Sequence, residues 1–318
     1  MTQTSLVSDI GGTNTRVALS RDGAVDPDTV RRFRNRDFSG LDEIYKAFLS
    51  EFDVSCDGAC IALAGPVSEG AGRLTNLDWG YDSHQLAAAT GASNTALLND
   101  LQAQGHAVPF VAPGSLASIL PGPEVEENKS KLVIGVGTGF NAVPVFRTGF
   151  GYFVPPCESG HTSFPILSDD DMSLARHVAA HHGFPGVEDV LSGRGIERVY
   201  AWASGDDTQK TSAEIMALIE AGEDETARRT AQAFCRALGR VAGDLALTHL
   251  PFGGVYLTGG MAAAMRPYLT QYGFGEAFRD KGRFSSFMGQ FAVWSVEDDY
   301  AALLGCARHI DGLIAASR

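Results

Sequence analysis

Two short glycine-rich segments carry the clearest chemical potential in this chain. Residues 9–16 read DIGGTNTR and residues 135–139 read GVGTG, each between apolar runs with the composition of strands. Glycine has no Cβ, so its backbone can approach a ligand closely, and successive N–H groups in a turn form a concavity for anionic oxygens. Thr13 and Thr138 add hydroxyl donors. Asp9, at the mouth of the first turn, offers a carboxylate that can hold Mg²⁺ directly or through water. No G-x-x-x-x-G-K-[ST] occurs, which removes a P-loop. The GVGTG segment lacks the G-x-G-x-x-G spacing and is followed by β-rich residues, which disfavours a dinucleotide fold. Two hairpins that cradle phosphate remain, against the bland alternative of simple turns with a satisfied aspartate.

The elements that must position these turns follow from periodicity. Residues 5–10 and 15–19 read as strands joined by Gly11, Gly12, Thr13 and Asn14. Residues 30–34 add a third strand. A helix over 39–52 carries Leu41, Ile44, Phe48 and Leu49 at helical spacing, with Ser39 placed to cap it. A strand over 59–64, a helix over 83–89 and a strand over 95–99 come next, and the last delivers Asp100 into a loop or helix start. A Pro-, Gly- and Ser-rich stretch over 108–127 marks a domain boundary near residue 110. Beyond it, strands over 131–136 and 140–146 flank Gly137, Thr138 and Gly139, repeating the opening pattern of strand, turn, strand. Ser168 caps an acidic first turn at Asp169, Asp170 and Asp171, and Gly183 stops that helix. A long helix over 223–249 ends at Pro251, a strand over 255–258 follows, and Gly259 and Gly260 lead into another helix. A strand over 291–296 and a helix over 299–314 close the chain.

Composition bounds what these parts can do. With 318 residues, 44% hydrophobic and 20% charged, the chain can bury large cores and has the length of about two domains. Its 25 Lys+Arg against 38 Asp+Glu leave a net charge of −13, which gives no general attraction for nucleic acid or acidic membranes. Any nucleotide must therefore be held by local geometry and a metal. Five cysteines are an odd and sparse count, so reduced thiols and a cytoplasmic setting are expected. Neither a signal peptide nor a membrane anchor is read from the apolar runs.

Taken together, these segments resemble the bacterial glucokinases of the hexokinase, actin and heat-shock-70 ATPase superfamily. Residues 9–16 look like that family's first phosphate hairpin, 135–139 like its second, and 253–260 (GGVYLTGG) like its adenosine-binding segment. Residues 98–100 (LND), 158–161 (ESGH), 187–193 (VEDVLSG) and 280–284 (DKGRF) also match, in order and over nearly the whole chain. The resemblance implies an α/β protein of two actin-like (ribonuclease H-like) domains flanking an ATP and sugar cleft. The smaller would span 1–110, with the helix of 299–318 packed back on it, and the larger 111–298. It implies a homodimer and phosphorylation of the 6-hydroxyl of glucose by ATP with Mg²⁺, the first step of glycolysis. Asp100 would be the catalytic base, and Asn99, Glu158, His161 and Glu188 would hold sugar hydroxyls. Asp9, Gly11, Gly12, Thr13, Asn14, Gly137, Thr138, Gly139, Gly259 and Gly260 would bind the nucleotide, with Asp9 also serving the metal. A kinase for a related hexose, or an idle sugar sensor on the same fold, are the alternatives.

Several residues depart from the pattern or tempt a second reading. The segment before Glu158 reads Pro155, Pro156, Cys157 where the family carries glycines, so its loop shape is expected to differ. Phe140 and Asn141 follow the second turn where a small residue is usual at 141, and Asn is expected to tolerate the backbone angles of a turn there. His177, His181 and His182 contain an i,i+4 pair but no Cys or Asp ligand cluster nearby in sequence, and they read as a solvated helix end. The cysteine-rich zinc motif of the regulator, open reading frame and kinase relatives is absent, which points to the other glucokinase branch. Cys56 and Cys60 read as buried thiols, and Cys157 as a candidate for oxidation.

Overall fold

The run GACIAL (residues 58–63) is apolar at every position rather than alternating, the signature of a strand covered on both faces. The computed structural model, which describes residues 2–74, 77–126, 128–149 and 151–317, shows why. In chain order its elements are β1 (Thr4–Ile10), β2 (Asn14–Arg21), β3 (Ala24–Val25), β4 (Arg31–Arg34), α1 (Leu41–Phe52), β5 (Gly58–Leu63), β6 (Val67–Ser68), β7 (Ala71–Arg73), β8 (Gly80–Asp82), α2 (Ser83–Thr90), β9 (Asn94–Asn99) and α3 (Asp100–Ala107). They continue with β10 (Leu116–Leu120), β11 (Lys131–Val136), β12 (Phe140–Thr148), β13 (Gly151–Phe153), α4 (Asp169–His182), α5 (Gly193–Ser204), α6 (Ser212–Ala221), α7 (Glu225–His249), β14 (Val255–Thr258), α8 (Gly260–Leu269), α9 (Phe274–Arg279), β15 (Val293–Val296) and α10 (Ala301–Ala316). The chain divides into two compact units. One holds Met1–Val111, Val145–Pro156 and Asp298–Arg318, and the other Ala112–Pro144 and Cys157–Glu297.

In the first unit the strands run β3-β2-β1-β5-β9, with β4 on β2. β1 and β2 are antiparallel, whereas β1, β5 and β9 are parallel. Successive side chains point to opposite faces, so Leu6, Ile10, Ile61 and Leu63 pack with Ile44, Tyr45 and Phe48 of α1. Val7, Cys60, Ala62 and Leu98 face Leu303, Cys306 and Ile310 of α10. Each large apolar side chain buried this way contributes roughly 1.5–3 kcal/mol. α10 lies so close to α3 that a Cβ on Gly305 would meet the Ala103 carbonyl oxygen at 1.6 Å; only glycine fits there.

The second unit repeats the plan. Its strands run β10-β15-β14-β11-β12, with β11, β14 and β15 parallel, while β13, which pairs with the far end of β12, falls among the residues grouped with the first unit. The order β12-β11-β14-β15 thus matches β2-β1-β5-β9, and the short sequence repeat reflects a repeated topology. Its core gathers Ile134, Val136, Leu257 and Phe234 among fully buried residues, with α7 as the longest helix.

Several local expectations change. Ser39 does not cap α1: the cap is Gly40, and the Ser39 backbone N–H donates instead to Glu43. The stretch after residue 108 is not a plain linker, since it contains single-turn 3₁₀ segments and β10, which pairs antiparallel with β15; Glu127, at its end, lies outside the described residues. Asn141 lies within β12, not in a turn, and its backbone is not left-handed. Ser168 caps α4 as the sequence indicates, and Gly183 ends it.

Candidate active site

In the first unit, the register places Ile10 beside Leu63 and Leu63 beside Asn99, so the ends of β1, β5 and β9 are level. The residues that follow, Gly11 and Asp100, therefore emerge from the same edge of the sheet, two strand spacings or about 10 Å apart. Asn99 is the N-cap of α3. Its Oδ1 accepts from the Leu101 N–H at 2.9 Å while Gln102 reaches back to its own N–H at 3.2 Å, a complete capping box. The Asn99 amide also donates to the Gly65 carbonyl at 3.1 Å, which fixes its rotamer. Asp100 is thus the first helical residue, where the helix dipole favours an ionised carboxylate.

The turn at residues 11–14 closes through the Gly11 N–H on the Asn14 carbonyl at 3.0 Å. It is braced by a residue that lies outside the glycine-rich segment. Asn35, only 2% exposed, donates its backbone N–H to the Thr13 carbonyl at 3.0 Å and its side-chain amide to the Gly11 carbonyl at 2.7 Å. Its Oδ1 accepts from the Thr15 hydroxyl at 2.8 Å. Asn35 lies far outside the motif in sequence and becomes its neighbour only because β4 pairs with β2. Asp9 lies opposite Arg16 across the hairpin, and the guanidinium approaches its carboxylate at 3.4 Å. Burial pushes the Asp9 carboxyl above its ordinary range, and Arg16 opposes that only in part. A half-compensated carboxylate of this kind fits a divalent cation. Among the described residues no three His, Cys, Asp or Glu groups gather into a metal site, so phosphate oxygens and water would complete the shell.

In the second unit the turn at 137–139 closes through the Gly137 N–H on the Gly139 carbonyl at 2.9 Å, and the Gly193 N–H donates to the Gly137 carbonyl at 2.8 Å. Glu188 sits beneath it. One carboxylate oxygen accepts from the Phe140 N–H at 2.9 Å; the other lies 3.7 Å from Arg194. The Glu188 N–H in turn donates to Gly160, inside the segment that carries Glu158 and His161. Asn141 ties the same segment down from β12. Its amide donates to the Cys157 carbonyl, and its Oδ1 accepts from the Ser159 N–H at 3.0 Å and the Ser159 hydroxyl at 3.1 Å. The unusual Asn141 and the unusual loop before Glu158 are therefore partners.

The glycines fall into two kinds. A Cβ on Gly139 would meet Glu188 at 2.5 Å, one on Gly160 the Phe140 carbonyl at 2.1 Å, and Gly259 has φ +97 with Val136 at 2.6 Å. Gly160 and Gly259 are required by the backbone they touch, whereas at Gly139 it is the flexible end of Glu188 that would have to move. By contrast, a Cβ on Gly11 would find its nearest neighbour at 3.5 Å, one on Gly137 at 3.9 Å, and one on Gly260 nothing within 4 Å. Gly137 and Gly260 adjoin each other, the latter opening α8. No internal contact demands glycine at these three positions, and bare backbone there suits a close-lying ligand.

Other singled-out residues are placed as follows. The five cysteines are all free, with Cys56 and Cys60 buried. Cys157 is half-buried, and burial and the Glu158 charge raise its thiol pKa, which lowers the thiolate fraction that oxidation needs. His177 and His181 face Asp207 at 3.7 and 3.6 Å, a carboxylate distant in sequence. No helix among the described residues is long and apolar enough to cross a membrane.

Comparison with known proteins gives a consistent set of likenesses. The glucokinase family model matches residues 6–312. The glucokinase of Marinobacter nauticus is 34% identical over 312 residues, covering 95% of this chain and 96% of its own length. That of Chromohalobacter salexigens is 33% identical over 310 residues, with 96% and 97% covered. Among solved structures, a glucokinase from an Antarctic psychrotroph superposes with a TM-score of 0.87 at 32% identity, covering 97% of this chain and 98% of that one.

Proposed function

The chain belongs to the glucokinase family and is a sugar kinase of actin-like fold, and on that premise we propose that it transfers the γ-phosphoryl group of ATP to the 6-hydroxyl of glucose. The observation that carries the reading is the level edge of the first unit's sheet, from which Asp100 and the turn at 11–14 both emerge. About 10 Å between them leaves room for a hydroxyl and the phosphoryl group it attacks.

Asp100 is the base. A carboxylate is far too weak a base to deprotonate an alcohol in the ground state. It instead orients the hydroxyl for in-line attack and takes the proton late, as the new O–P bond forms. Glu158, Glu188 and His161, with the free valences of Asn99, read the sugar hydroxyls. Acceptor-only carboxylates reward a donor at each position; Glu158 and His161 are exposed and Glu188 half-buried in the structure, so it is the bound sugar that would desolvate them and a sugar lacking a hydroxyl that would leave one unpaired. The N–H groups of residues 11–14 and 137–139, with Thr13 and Thr138, hold phosphate oxygens, and the Gly259–Gly260 opening of α8 adds a helix N-terminus to the nucleotide. Mg²⁺ would be held at Asp9, directly or through water, and would supply charge neutralisation of the phosphates. The protein works in the cytoplasm, as a homodimer.

A coupled assay of ADP release over a panel of glucose, mannose and glucosamine tests the proposal. Glucose-dependent release is the expected result. Nucleotide and sugar binding without release would identify an idle sensor on the same fold.

A further inference from the structure

A hollow of about 630 Å³ opens in the first unit, lined by Gly12, Thr13 and Asn14 of the turn and by Arg32, Arg34 and Arg36. We propose that its three arginines form a second phosphate-binding site, adjoining the turn assigned above to the nucleotide and taking a phosphate dianion, free or as a phosphomonoester. This goes beyond the phosphoryl-transfer reading, because the ligand is neither the transferred group nor its donor.

The placement follows from register. β4 pairs with β2 so that Arg34 lies beside Asn14 and Arg32 beside Arg16, while Phe33 between them turns to the opposite face and packs on the apolar core. Period-two alternation thus puts Arg32 and Arg34 on one face, and Arg36 follows from the turn after the strand. Among the described residues the side chains of Arg32 and Arg34, unlike their backbones in the ladder with β2, make no ion pair or hydrogen bond. Arg36 has only Asp37 at 3.6 Å, a pair whose side chains are 77% and 57% exposed and which contributes little.

Three guanidiniums in one hollow repel one another, and in a chain of net charge −13 a carboxylate partner would be easy to supply. Among the described residues none lines this hollow. Two other cavities of comparable size do contain carboxylates, Asp42 and Asp53 in one, Glu197 and Asp207 in the other. The missing counter-ion is accordingly external. Planar guanidinium forks match the oxygens of phosphate, so the arginines alone can hold it while the turn serves the nucleotide. Phe38 and Trp79 give the hollow an apolar side, where the organic part of an ester would rest.

Isothermal titration of the full chain with inorganic phosphate, glucose 6-phosphate and ATP, at fixed ionic strength set with chloride, tests the site. The wild type is expected to bind one phosphate or phosphomonoester per chain with ATP already saturating. The R32Q/R34Q double variant should bind it at least tenfold more weakly, with an unchanged melting temperature and with kcat and the KM for ATP within twofold. Equal affinity for free phosphate and ester would assign the site to the inorganic ion; a tenfold preference for the ester would bring in Trp79 and Phe38. Absence of phosphate binding to the wild type, or undiminished binding to the variant, would overturn the proposal. So would displacement of phosphate by ATP together with a raised KM for ATP in the variant, which would give the arginines to the nucleotide. A chain that released no ADP would still answer the phosphate titration, so the two readings fail separately.

Discussion

The turn at residues 11–14 is braced by a neutral amide, that of Asn35, whereas the turn at 137–139 is braced by a carboxylate, that of Glu188. Both turns close with one backbone hydrogen bond of nearly equal length, 3.0 and 2.9 Å, at the head of topologically equivalent hairpins. The difference lies in what the brace has left over. Both side-chain groups of Asn35 are engaged on internal partners, and it is buried at 2% exposure, so it can only position the turn. Glu188 uses one oxygen on Phe140 and keeps the other facing only Arg194 at 3.7 Å, so a carboxylate here can hold the turn and still accept from a hydroxyl. A repeated scaffold has thus been given a purely structural brace in one unit and a dual-purpose one in the other.

The largest test of this contrast concerns the groups the turns serve. Asp100→Asn is expected to lower kcat by about 10²- to 10⁴-fold while leaving glucose binding within a few-fold, as measured by ADP release and direct sugar titration. An active Asn variant would remove Asp100 from its role. Next come the glycines. Gly160→Ala, whose Cβ would lie 2.1 Å from a backbone oxygen, should cost about 3 kcal/mol in urea unfolding. Gly137→Ala should leave stability untouched and raise the KM for ATP, and a loss of stability there would erase the distinction between the two kinds of glycine.

The braces themselves separate by which substrate suffers. Asn35→Ala strands the Gly11 carbonyl and the Thr15 hydroxyl and should cost about 2 kcal/mol of stability, with the KM for ATP rising more than kcat falls. Glu188→Gln retains an oxygen for the Phe140 N–H, so its stability should change by less than about 1 kcal/mol. Its KM for sugar should rise about tenfold, equivalent to about 1.4 kcal/mol. If Glu188→Gln left sugar affinity intact, the two braces would be equivalent after all.

The smallest effect is expected in pH dependence, and it belongs to the first unit. His106 of α3 and His309 of α10 stack at 4.4 Å between ring centroids, and burial lowers their pKa values to about 3 and about 4, His106 also feeling the charge of its neighbour. Both sit below an unfolded value of about 6.5, so the stability they contribute is complete above that pH and is lost as the pH falls toward 4. From pH 7 to 6 the loss should be under about 1 kcal/mol per imidazole in urea melts. His309→Gln should flatten the slope; an unchanged slope would place the acid sensitivity elsewhere.

Local chemistry made much of this protein legible from its sequence. Strand-turn-strand with glycine at both turns, the Ser168 cap and Gly183 stop of α4, and the strand that became β5 all depend on near neighbours, and all appear as read. Ser39 misled because a cap needs its side chain aimed at the first turn, and here Gly40 intervenes. The short strands β6, β7 and β8 and helices such as α5 and α6 carried no distinct reading, being brief or interrupted segments whose apolar faces mean little without a partner surface.

What the amino-acid order settled by itself was the set of chemical groups: two bare-backbone turns, a carboxylate at the head of a helix, and a family pattern spanning the chain. What only tertiary structure decided was who holds them. Asn35 reaches the first turn through a strand pairing, Asn141 and Ser159 meet across a loop, and Arg32, Arg34 and Arg36 share one hollow that no carboxylate of the described residues lines. Such contacts are between residues separated along the chain, and their energy depends on distance and burial, quantities that exist only once the strands are in register.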